Sequence, residues 1–398
     1  MLLLLAFFLG WLVPSNAQTT SGSTRYTSHS VLASGQWFKL GIPETGIYQL
    51  TYTDLSSLGM PVGQINPKNI RVYHNGGGLL NERNGDPCLD DLTELPVFVS
   101  GEADGRFDQN DYVLFYARGP VTWRYLDSEG AFVQQTNDYD DLAYAFITAD
   151  LGAGKRIENA VSPSGSANAA VTVFQDYQVY EEDNYNLINA GRAYYSDILE
   201  GNVSLMKTMS FPNAVTSRPS KVRVAMAGRN FQPASFELYV NNALLKTFPI
   251  SVTSPGSDHT FSFPVSGSVS GTVSGDAVKV TLKHVGVTGT TSIGYVDYIA
   301  VNAWRNLKFE GGEMLFRNPE AKDAGQIYNY QLSGASSNVQ VWNVTDSVCP
   351  VKVNGQLSGS VLSFKVNGNP RNEFIAFNGT SYHTPTLLGE VSNQDLHG

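Results

Sequence analysis

The feature of this sequence that most constrains its fold is a succession of short apolar or alternating runs separated by turns rich in Gly, Asn and Pro. The run from Lys221 to Met226 alternates strictly, which is typical of a strand with one wet face. Similar runs recur at Ile70 to Tyr73, Glu94 to Val99, Tyr112 to Tyr116, Tyr144 to Thr148, Phe236 to Val240, Val278 to Leu282 and Tyr295 to Val301. Long amphipathic helices are nearly absent, so the pattern predicts a mostly β protein.

Two local patterns near the start of this series are more specific. The runs Trp37 to Ile42 and Gly46 to Leu50 flank a short segment of Pro and polar residues, which predicts a β-hairpin. Thr53 or Asp54 can then cap a short helix that extends through Leu58.

The length of 398 residues is more than one hydrophobic core usually serves, so two or three domains are expected. Breaks in composition divide the chain into an N-terminal β-rich domain at 28–161, a jelly-roll-like β-sandwich at 171–305 and a small β-sandwich-like domain at 306–380. The Ser-, Gly- and Ala-rich stretch at 162–168 reads as a linker or long loop.

The first residues predict export. Met1 to Val13 is an apolar run too short to span a bilayer, and it ends at a helix breaker and small residues suited to signal peptidase. We therefore predict a signal peptide at 1–17, cleaved after Ala17, and a flexible polar lead at 18–27. No Lys or Arg precedes the apolar run, which is atypical of a signal peptide.

Charge and cysteine content limit the partners and the chemistry. The formal net charge is −10 and no cluster of Lys and Arg occurs, which argues against a nucleic-acid partner. Cys88 and Cys349 are the two cysteines. Export permits a disulfide between them, but two separate, partly buried thiols fit the sequence equally well.

Neither cysteine lies in the motif context of a nucleophile. Cys349 falls in a turn between two strands, and no Gly-rich strand-to-helix turn, metal-binding His pair or serine elbow is present. We therefore predict that the chain has no catalytic residue and no cofactor-binding residue, and is inactive as a peptidase by itself.

The strongest candidate metal site is an acidic turn at 102–111. Its oxygen donors Asp104, Asp108, Asn110 and Asp111 could bind calcium, although the terminal Glu of an EF-hand loop is lacking. The alternative is a tight polar turn whose Asp side chains cap backbone amides before the strand at Tyr112.

Two further segments combine charge with aromatic rings. Glu181 to Tyr195 could form a platform for a sugar or peptide, or a loop held to its own domain by an Arg–carboxylate pair. Trp304 and Arg305 are open to the same two readings, and core packing is the favoured one.

Several ordered motifs resemble the N-terminal region of type IX secretion system sortases of the PorU type. Between about Ser28 and Gly398 the resemblance is carried by Trp37 to Leu50 (WFKLGIPETGIYQL), Gly101 to Tyr116 (GEADGRFDQNDYVLFY), Glu181 to Tyr195, Gly294 to Ile299, Val341 to Asp346 and Asn393 to Gly398 (NQDLHG). The chain departs from the family at Asp395, where Asn is usual, and at Asn343, where Asp is usual.

The resemblance implies the non-catalytic part of such a sortase, with residues 381–398 as the linker into a gingipain-type cysteine peptidase domain that this chain lacks. The full-length family member cleaves the C-terminal sorting domain from secreted cargo and attaches the cargo to cell-surface lipopolysaccharide. Implied partners are the downstream peptidase domain, outer-membrane secretion-system proteins and the cargo. The implied location is the outer membrane or cell surface of a Gram-negative bacterium.

The alternative from another functional class is a free-standing cell-surface adhesin or carbohydrate-binding β-sandwich protein. Composition does not separate the two, because both are built on exported β-sandwiches. The sortase reading also predicts a mobile tail from Tyr382 onwards, since the domain that the tail enters is missing.

Overall fold

The computed structural model describes residues 27–398, except 82, 84–87 and 257–258. The predicted signal peptide at 1–17 and all but the last residue of the predicted lead at 18–27 lie outside the described residues. Within the described part, the chain is mostly β, as the alternating pattern predicts, and its antiparallel sheets form tandem β-rich units. None of the helices in that part has the length and apolar character needed to cross a bilayer.

The first third of the described chain holds nine strands and one α-helix. The strands are β1 (Trp37–Ile42), β2 (Gly46–Thr51), β3 (Arg71–His74), β4 (Thr93–Leu95), β5 (Phe98–Val99), β6 (Tyr112–Ala117), β7 (Thr122–Leu126), β8 (Ala131–Gln135) and β9 (Ala143–Thr148), and the helix is α1 (Tyr52–Leu58). Short 3-10 turns lie at Val31–Ala33, Val62–Gln64, Pro67–Asn69 and Glu102–Asp104.

The rest of the described chain consists of strands and loops. The middle strands are β10 (Ala169–Val171), β11 (Val173–Glu181), β12 (Asp197–Glu200), β13 (Ser204–Ser210), β14 (Ser220–Asn230), β15 (Ala234–Val240), β16 (Ala243–Ile250), β17 (Phe263–Gly271), β18 (Ala277–Val285) and β19 (Ser292–Asn306). The last are β20 (Glu313–Arg317), β21 (Ile327–Ser333), β22 (Gln340–Asn343), β23 (Val351–Lys352), β24 (Gln356–Ser358), β25 (Val361–Asn367), β26 (Glu373–Phe377) and β27 (Thr386–Val391).

The N-terminal unit packs two sheets over one core. Its larger sheet has the order β27-β1-β9-β3-β4, and its smaller sheet has the order β2-β6-β5. Leu40, Leu50, Val72, Phe115 and Ile147 are fully buried between them. Some consecutive strands pair, as β3 does with β4 and β5 with β6, but the chain crosses from the larger to the smaller sheet between β1 and β2.

The predicted hairpin of β1 and β2 is wrong for this reason. Both strands exist, but β1 pairs with β9 and β27 while β2 pairs with β6. The intervening residues turn the chain from one sheet to the other. Their Pro and polar composition fits such a corner as well as it fits a hairpin turn, so local sequence does not distinguish the two.

The short helix α1 is present, but its cap lies earlier than Thr53 or Asp54. Thr51 is the N-cap: its hydroxyl accepts from the Asp54 amide at 3.3 Å, and Asp54 accepts in return from the Thr51 amide at 2.8 Å. This reciprocal pair satisfies two amides that a helix start leaves free. Gly59, with φ of 97°, ends the helix in the left-handed conformation.

The middle unit is the predicted β-sandwich. One sheet has the order β11-β19-β14-β17, with β12 also pairing with β19, and the other has the order β13-β18-β15-β16. The alternation at Lys221 to Met226 sets the faces of β14, because Val222, Val224 and Met226 are buried while Lys221 and Arg223 are half-buried.

The C-terminal unit also has two sheets, ordered β10-β21-β25-β24 and β20-β26-β22-β23. Its core is rich in aromatic rings, among them Phe316, Tyr330, Phe364 and Phe374. Strand β10 comes from the chain that precedes the middle unit and runs parallel to β21.

Three segments cross the contiguous domain boundaries drawn from sequence. Strand β10 joins the C-terminal unit, the β7–β8 hairpin lies on the middle unit, and β27 is the outer strand of the N-terminal sheet beside β1. The pairing of β27 with β1 contradicts the prediction of a mobile tail from Tyr382 onwards. Residues 386–391, within the predicted linker at 381–398, form a paired strand because their backbone amides and carbonyls complete the free edge of β1.

Candidate functional site: an interdomain junction

The three units meet at a buried ion cluster. Glu373, at the start of β26, binds Arg118 of the N-terminal unit at 2.9 Å through one carboxylate oxygen and Arg317 of β20 at 2.6 Å through the other. The Glu373 side chain is only 5% exposed, so water contributes little to its solvation. The cluster therefore carries one carboxylate between two guanidinium groups.

Aromatic rings and a backbone carbonyl surround Arg317. Its guanidinium donates to the Trp123 carbonyl at 3.3 Å and to the Tyr177 hydroxyl at 3.0 Å, and it lies 5.0 Å from the ring centre of Phe132. The rings of Trp123 and Tyr177 stack at 3.7 Å. Burial raises the pKa of Tyr177 to about 12, so the phenol stays neutral and accepts from Arg317.

The junction orients the three units relative to one another. Arg118 directly follows β6 of the N-terminal unit. Tyr177 lies in β11 of the middle unit, and Glu373 and Arg317 belong to the C-terminal unit. A buried pair of this kind gains little over apolar packing, but loss of one member leaves an uncompensated charge. The geometry therefore favours one relative placement of the three units.

An apolar cluster extends the contact between the first and last units. Ile47, Leu114 and Tyr116 pack against Trp342 and Ile375, and all five side chains are at most 2% exposed. This interface resembles a domain core in its burial, so independent motion of these two units would expose a large apolar surface.

The chain also ties its C-terminal segment to the first unit. The His383 amide donates to the Ile47 carbonyl at 2.9 Å, and the His383 carbonyl accepts from the Gln49 amide at 2.9 Å. The His383 ring lies 3.3 Å from Glu313, whose other oxygen accepts from the Ile47 amide at 2.8 Å. The hydrogen bond to Glu313 raises the pKa of His383, although burial opposes it.

The predicted acidic turn uses its carboxylates on backbone amides. Asp104 accepts from the Arg106 amide at 2.9 Å and Asp111 from the Asp108 amide at 2.7 Å, while Glu102 pairs with Arg156 at 2.7 Å. These are the contacts expected of the capping alternative. No group of three or more His, Cys, Asp or Glu side chains in the described ranges is arranged to hold a metal, and calcium binding by Asp104, Asp108, Asn110 and Asp111 stays a prediction.

The segment from Glu181 to Tyr195 folds into a loop closed by backbone hydrogen bonds between Tyr185 and Tyr195 at 3.0 and 2.9 Å. Its Arg192 lies 3.6 Å from Asp138, which precedes β9. The Arg–carboxylate pair thus joins this loop to the N-terminal unit, where the sequence predicted a pair within its own domain. Tyr185 and Tyr194 are exposed.

Carboxylates crowd the base of this loop. Burial, followed by repulsion from Glu181 and Asp183, raises the pKa of Asp297 to about 7. Burial also raises the pKa of Glu181 and of Asp183. Glu181 accepts from Gln134 at 3.4 Å and from Thr136 at 3.3 Å, so it contacts the end of the β7–β8 hairpin.

Trp304 and Arg305 have structural partners. The guanidinium of Arg218 lies 4.0 Å from the centre of the Trp304 ring. Arg305 binds Asp176 at 2.8 Å and the Pro212 carbonyl at 2.6 Å. Both residues therefore fix the end of β19, which agrees with the packing interpretation.

Cys88 and Cys349 are exposed, and both are free thiols. The two buried histidines contact backbone carbonyls: His74 lies 3.0 Å from the Arg118 carbonyl and His284 lies 2.6 Å from the Gly201 carbonyl. Burial lowers the pKa of His74 to about 4, which keeps its ring neutral.

Comparison with solved structures gives an extensive likeness. Dimeric latent PorU from Porphyromonas gingivalis matches 94% of this chain with a TM-score of 0.78 at 22% sequence identity. The fold is PorU-like. The chain spans 34% of the length of that PorU chain.

Two further solved structures match weakly. The carbohydrate-binding module CBM36 in complex with calcium and xylotriose matches 31% of this chain with a TM-score of 0.21 at 18% identity. The CBM36-1 domain of a multidomain xylanase from a termite hindgut metagenome (Trinervitermes trinervoides) matches 33% with a TM-score of 0.20 at 16% identity. Such scores carry no inference about function. No protein-family model and no curated protein sequence matches the chain.

Sequence reasoning missed the junction. The available signal was Glu373, an acid that opens the otherwise apolar run of β26. A carboxylate in such a position calls for a cationic partner, but the sequence does not say which of its arginines supplies it.

Proposed function

We propose that this chain is the non-catalytic N-terminal part of a type IX secretion sortase. In its full-length form the protein would cleave the C-terminal sorting domain of secreted cargo and attach the cargo to cell-surface lipopolysaccharide. The observation that carries the proposal is the PorU-like fold, which extends over 94% of the chain. The ordered motifs from Trp37 to Gly398 support it independently of the fold.

The role proposed for this part is to hold and position. The junction at Glu373 supports a fixed arrangement of the three units, because its single carboxylate reaches both guanidinium groups in one geometry. Strand β27 and the following residues then bring the C-terminal end of the chain to its N-terminal end, where the Gln394 amide donates to the Leu32 carbonyl at 3.1 Å. A downstream peptidase domain would therefore start from an anchored point.

We also propose that the protein is exported and lies at the cell surface or outer membrane of a Gram-negative bacterium. Its proposed partners are the downstream peptidase domain, outer-membrane secretion-system proteins and cargo with a C-terminal sorting domain. The apolar run at Met1 to Val13 supports export, and the acidic net charge of −10 gives no support to a nucleic-acid partner.

A chimera tests the proposal. In a type IX-secreting bacterium that lacks its sortase, the sortase gene is restored with its N-terminal region replaced by this chain. We expect cargo to lose its sorting domain and to remain attached to the cells. The restored native sortase is the positive control, and the same chimera with its peptidase nucleophile changed to Ala is the negative control.

The opposite result would favour a different role. If the chimera is produced and exported but cargo keeps its sorting domain, while the native sortase restores processing, this chain does not serve as a sortase scaffold. A free-standing adhesin or binding module would then be the better account.

A further inference from the structure

A cavity of about 510 Å³ lies between the N-terminal and C-terminal units, away from the ion cluster at Glu373. Its volume is within the range of small-molecule sites, and such sites often occur where domains meet. The N-terminal unit contributes Gln49 of β2 and Tyr112 of β6, and the C-terminal unit contributes Gln340 of β22. Tyr382, from the segment that leads to β27, also lines the cavity.

Polar groups facing this cavity have unused hydrogen-bonding capacity. Among the described residues, the side-chain amides of Gln49 and Gln340 and the hydroxyls of Tyr112 and Tyr382 have no hydrogen-bond partner within the protein. All four residues are half-buried. An amide both donates and accepts, and so does a phenol, so together they can satisfy a ligand that carries both kinds of group.

The same cavity has an apolar side. Val339, Val353 and Leu362 line it, and each is less than 10% exposed. The Tyr382 ring is held edge-on against Phe377 at 6.1 Å, and the Tyr112 ring lies 6.1 Å from Phe98. Each of the two tyrosine rings therefore packs on a neighbouring aromatic ring, which reduces the entropy lost when a ligand contacts it.

We propose that this cavity binds one or two units of a neutral oligosaccharide. A pyranose ring combines apolar C–H faces, which pack on aromatic rings, with hydroxyls that donate and accept. Amides and phenols are the side chains that match it without charge. Lys352 is the one charged residue among the described residues that line the cavity, so an anionic ligand would meet a single cation.

A peptide fits the cavity less well. Extended peptides usually bind by adding to a free strand edge. Strand β22 pairs with β26 on one side, and on the other side the Val341 carbonyl accepts from the Val353 amide at 2.8 Å. The edge of strand β23 is also occupied, because Asn159 forms a parallel bridge with Lys352.

Calorimetric titration of the whole chain with soluble neutral hexasaccharides tests the site. The probes are cellohexaose, mannohexaose, xylohexaose and β-1,4-galactohexaose. We expect saturable binding of at least one of them with one site per chain. The double variant Gln49→Ala, Gln340→Ala should weaken that binding by about tenfold, because it removes two hydrogen-bonding amides. Neither amide has a protein partner, so folding should be preserved.

Matched variants and ligands make the test decisive. Gln331→Ala removes a glutamine of the same unit outside the cavity, and Tyr139→Ala removes a tyrosine that is 75% exposed elsewhere; both should bind as the unchanged chain does. Absence of saturable binding at low millimolar concentration of every probe would overturn the proposal. So would equal binding by the double variant, or preferential binding of an acidic galacturonic-acid hexamer or of an Ala/Ser hexapeptide.

The site is independent of the sortase proposal. Failure of the chimera to process cargo leaves the titration result unchanged, and failure of every sugar probe leaves the scaffold role unchanged.

Discussion

The Asp395 carboxylate lies 2.7 Å from the ring nitrogen of His29, although 366 residues separate them. The other oxygen of Asp395 accepts from the Ser30 amide at 2.8 Å, and the Leu396 amide donates to the Ser30 hydroxyl at 2.8 Å. The end of the described chain is thus bound to its beginning by side-chain and backbone contacts that one aspartate organises.

Acid should release this contact. The hydrogen bonds from His29 and from the Ser30 amide lower the pKa of Asp395 to about 2. A carboxyl with a lowered native pKa stabilises the folded contact above its unfolded pKa and loses that effect as the pH falls through the native value. Protection of the Ser30 amide from hydrogen exchange should therefore persist at pH 5 and disappear near about pH 2.

Two substitutions separate charge from hydrogen bonding at Asp395. Asp395→Ala should remove protection of the Ser30 amide at every pH. Asp395→Asn keeps an acceptor oxygen but, like the protonated acid, carries no charge, so its protection of that amide at pH 5 should match that of the unchanged chain near about pH 2. Equal exchange in the Ala variant and the unchanged chain would show that the contact does not hold the terminus.

The junction should be sensitive to loss of its single carboxylate. Glu373→Ala leaves Arg118 and Arg317 without their shared counter-ion in a buried place, and we expect a loss of about 3–5 kcal/mol in the free energy of unfolding. Urea unfolding followed by tryptophan fluorescence measures it. Glu320→Ala is the control, because Glu320 pairs with Arg218 at the surface and should cost at most about 1 kcal/mol.

Docking of the C-terminal segment should weaken at alkaline pH. Glu313 raises the pKa of His383, so the charged pair contributes fully below the ordinary histidine pKa and is lost as pH rises through the native value. The melting temperature of His383→Gln should fall below that of the unchanged chain by more at about pH 6 than at about pH 9. In a Glu313→Gln background this pH dependence should become smaller, since the nearer counter-ion is gone and Glu44, 4.0 Å from the His383 ring, remains. A difference in melting temperature between His383→Gln and the unchanged chain that does not vary with pH would contradict a charged pair between His383 and Glu313.

The β7–β8 hairpin should depend on one buried amide of the sandwich. Asn302 is 1% exposed; it accepts from the Phe132 amide at 2.7 Å and donates to the Phe132 carbonyl at 3.0 Å. Asn302→Ala leaves both backbone groups unsatisfied, and we expect a loss of at least about 1–3 kcal/mol in unfolding experiments. Asn354→Ala removes an exposed amide that donates to the Ala160 carbonyl, and should change stability by no more than about 0.5 kcal/mol.

Both thiols should react in the folded protein. Cys88 and Cys349 are exposed and unpaired, so a thiol-specific reagent should label both without denaturant, and the melting temperature should not change after labelling. Labelling that requires prior reduction would show that the two form a disulfide.

Much of the local structure could be read from sequence. The alternation at Lys221 to Met226 predicts the buried and wet faces of β14, and the strand runs near Ile70, Tyr144 and Phe236 lie within one or two residues of β3, β9 and β15. Period-two patterning reports which side of a strand is buried, and this depends only on nearby residues.

The choice of partner strands could not be read in the same way. Backbone hydrogen bonds between strands are the same for any side chains, so an apolar run does not specify its neighbour. The prediction of a β1–β2 hairpin failed for that reason. The prediction of a mobile tail failed too, because part of that segment is strand β27, which pairs with β1. The capping carboxylates of the acidic turn were foreseen as an alternative because their partners lie within a few residues.

By itself the sequence determined that this protein is built from short amphipathic strands in tandem β units, since alternation and turn residues act locally. Tertiary structure alone decided that Glu373 lies between Arg118 and Arg317 and that β27 returns to β1. Those contacts join residues far apart in the chain, and they exist only where packing of all three cores brings the groups together.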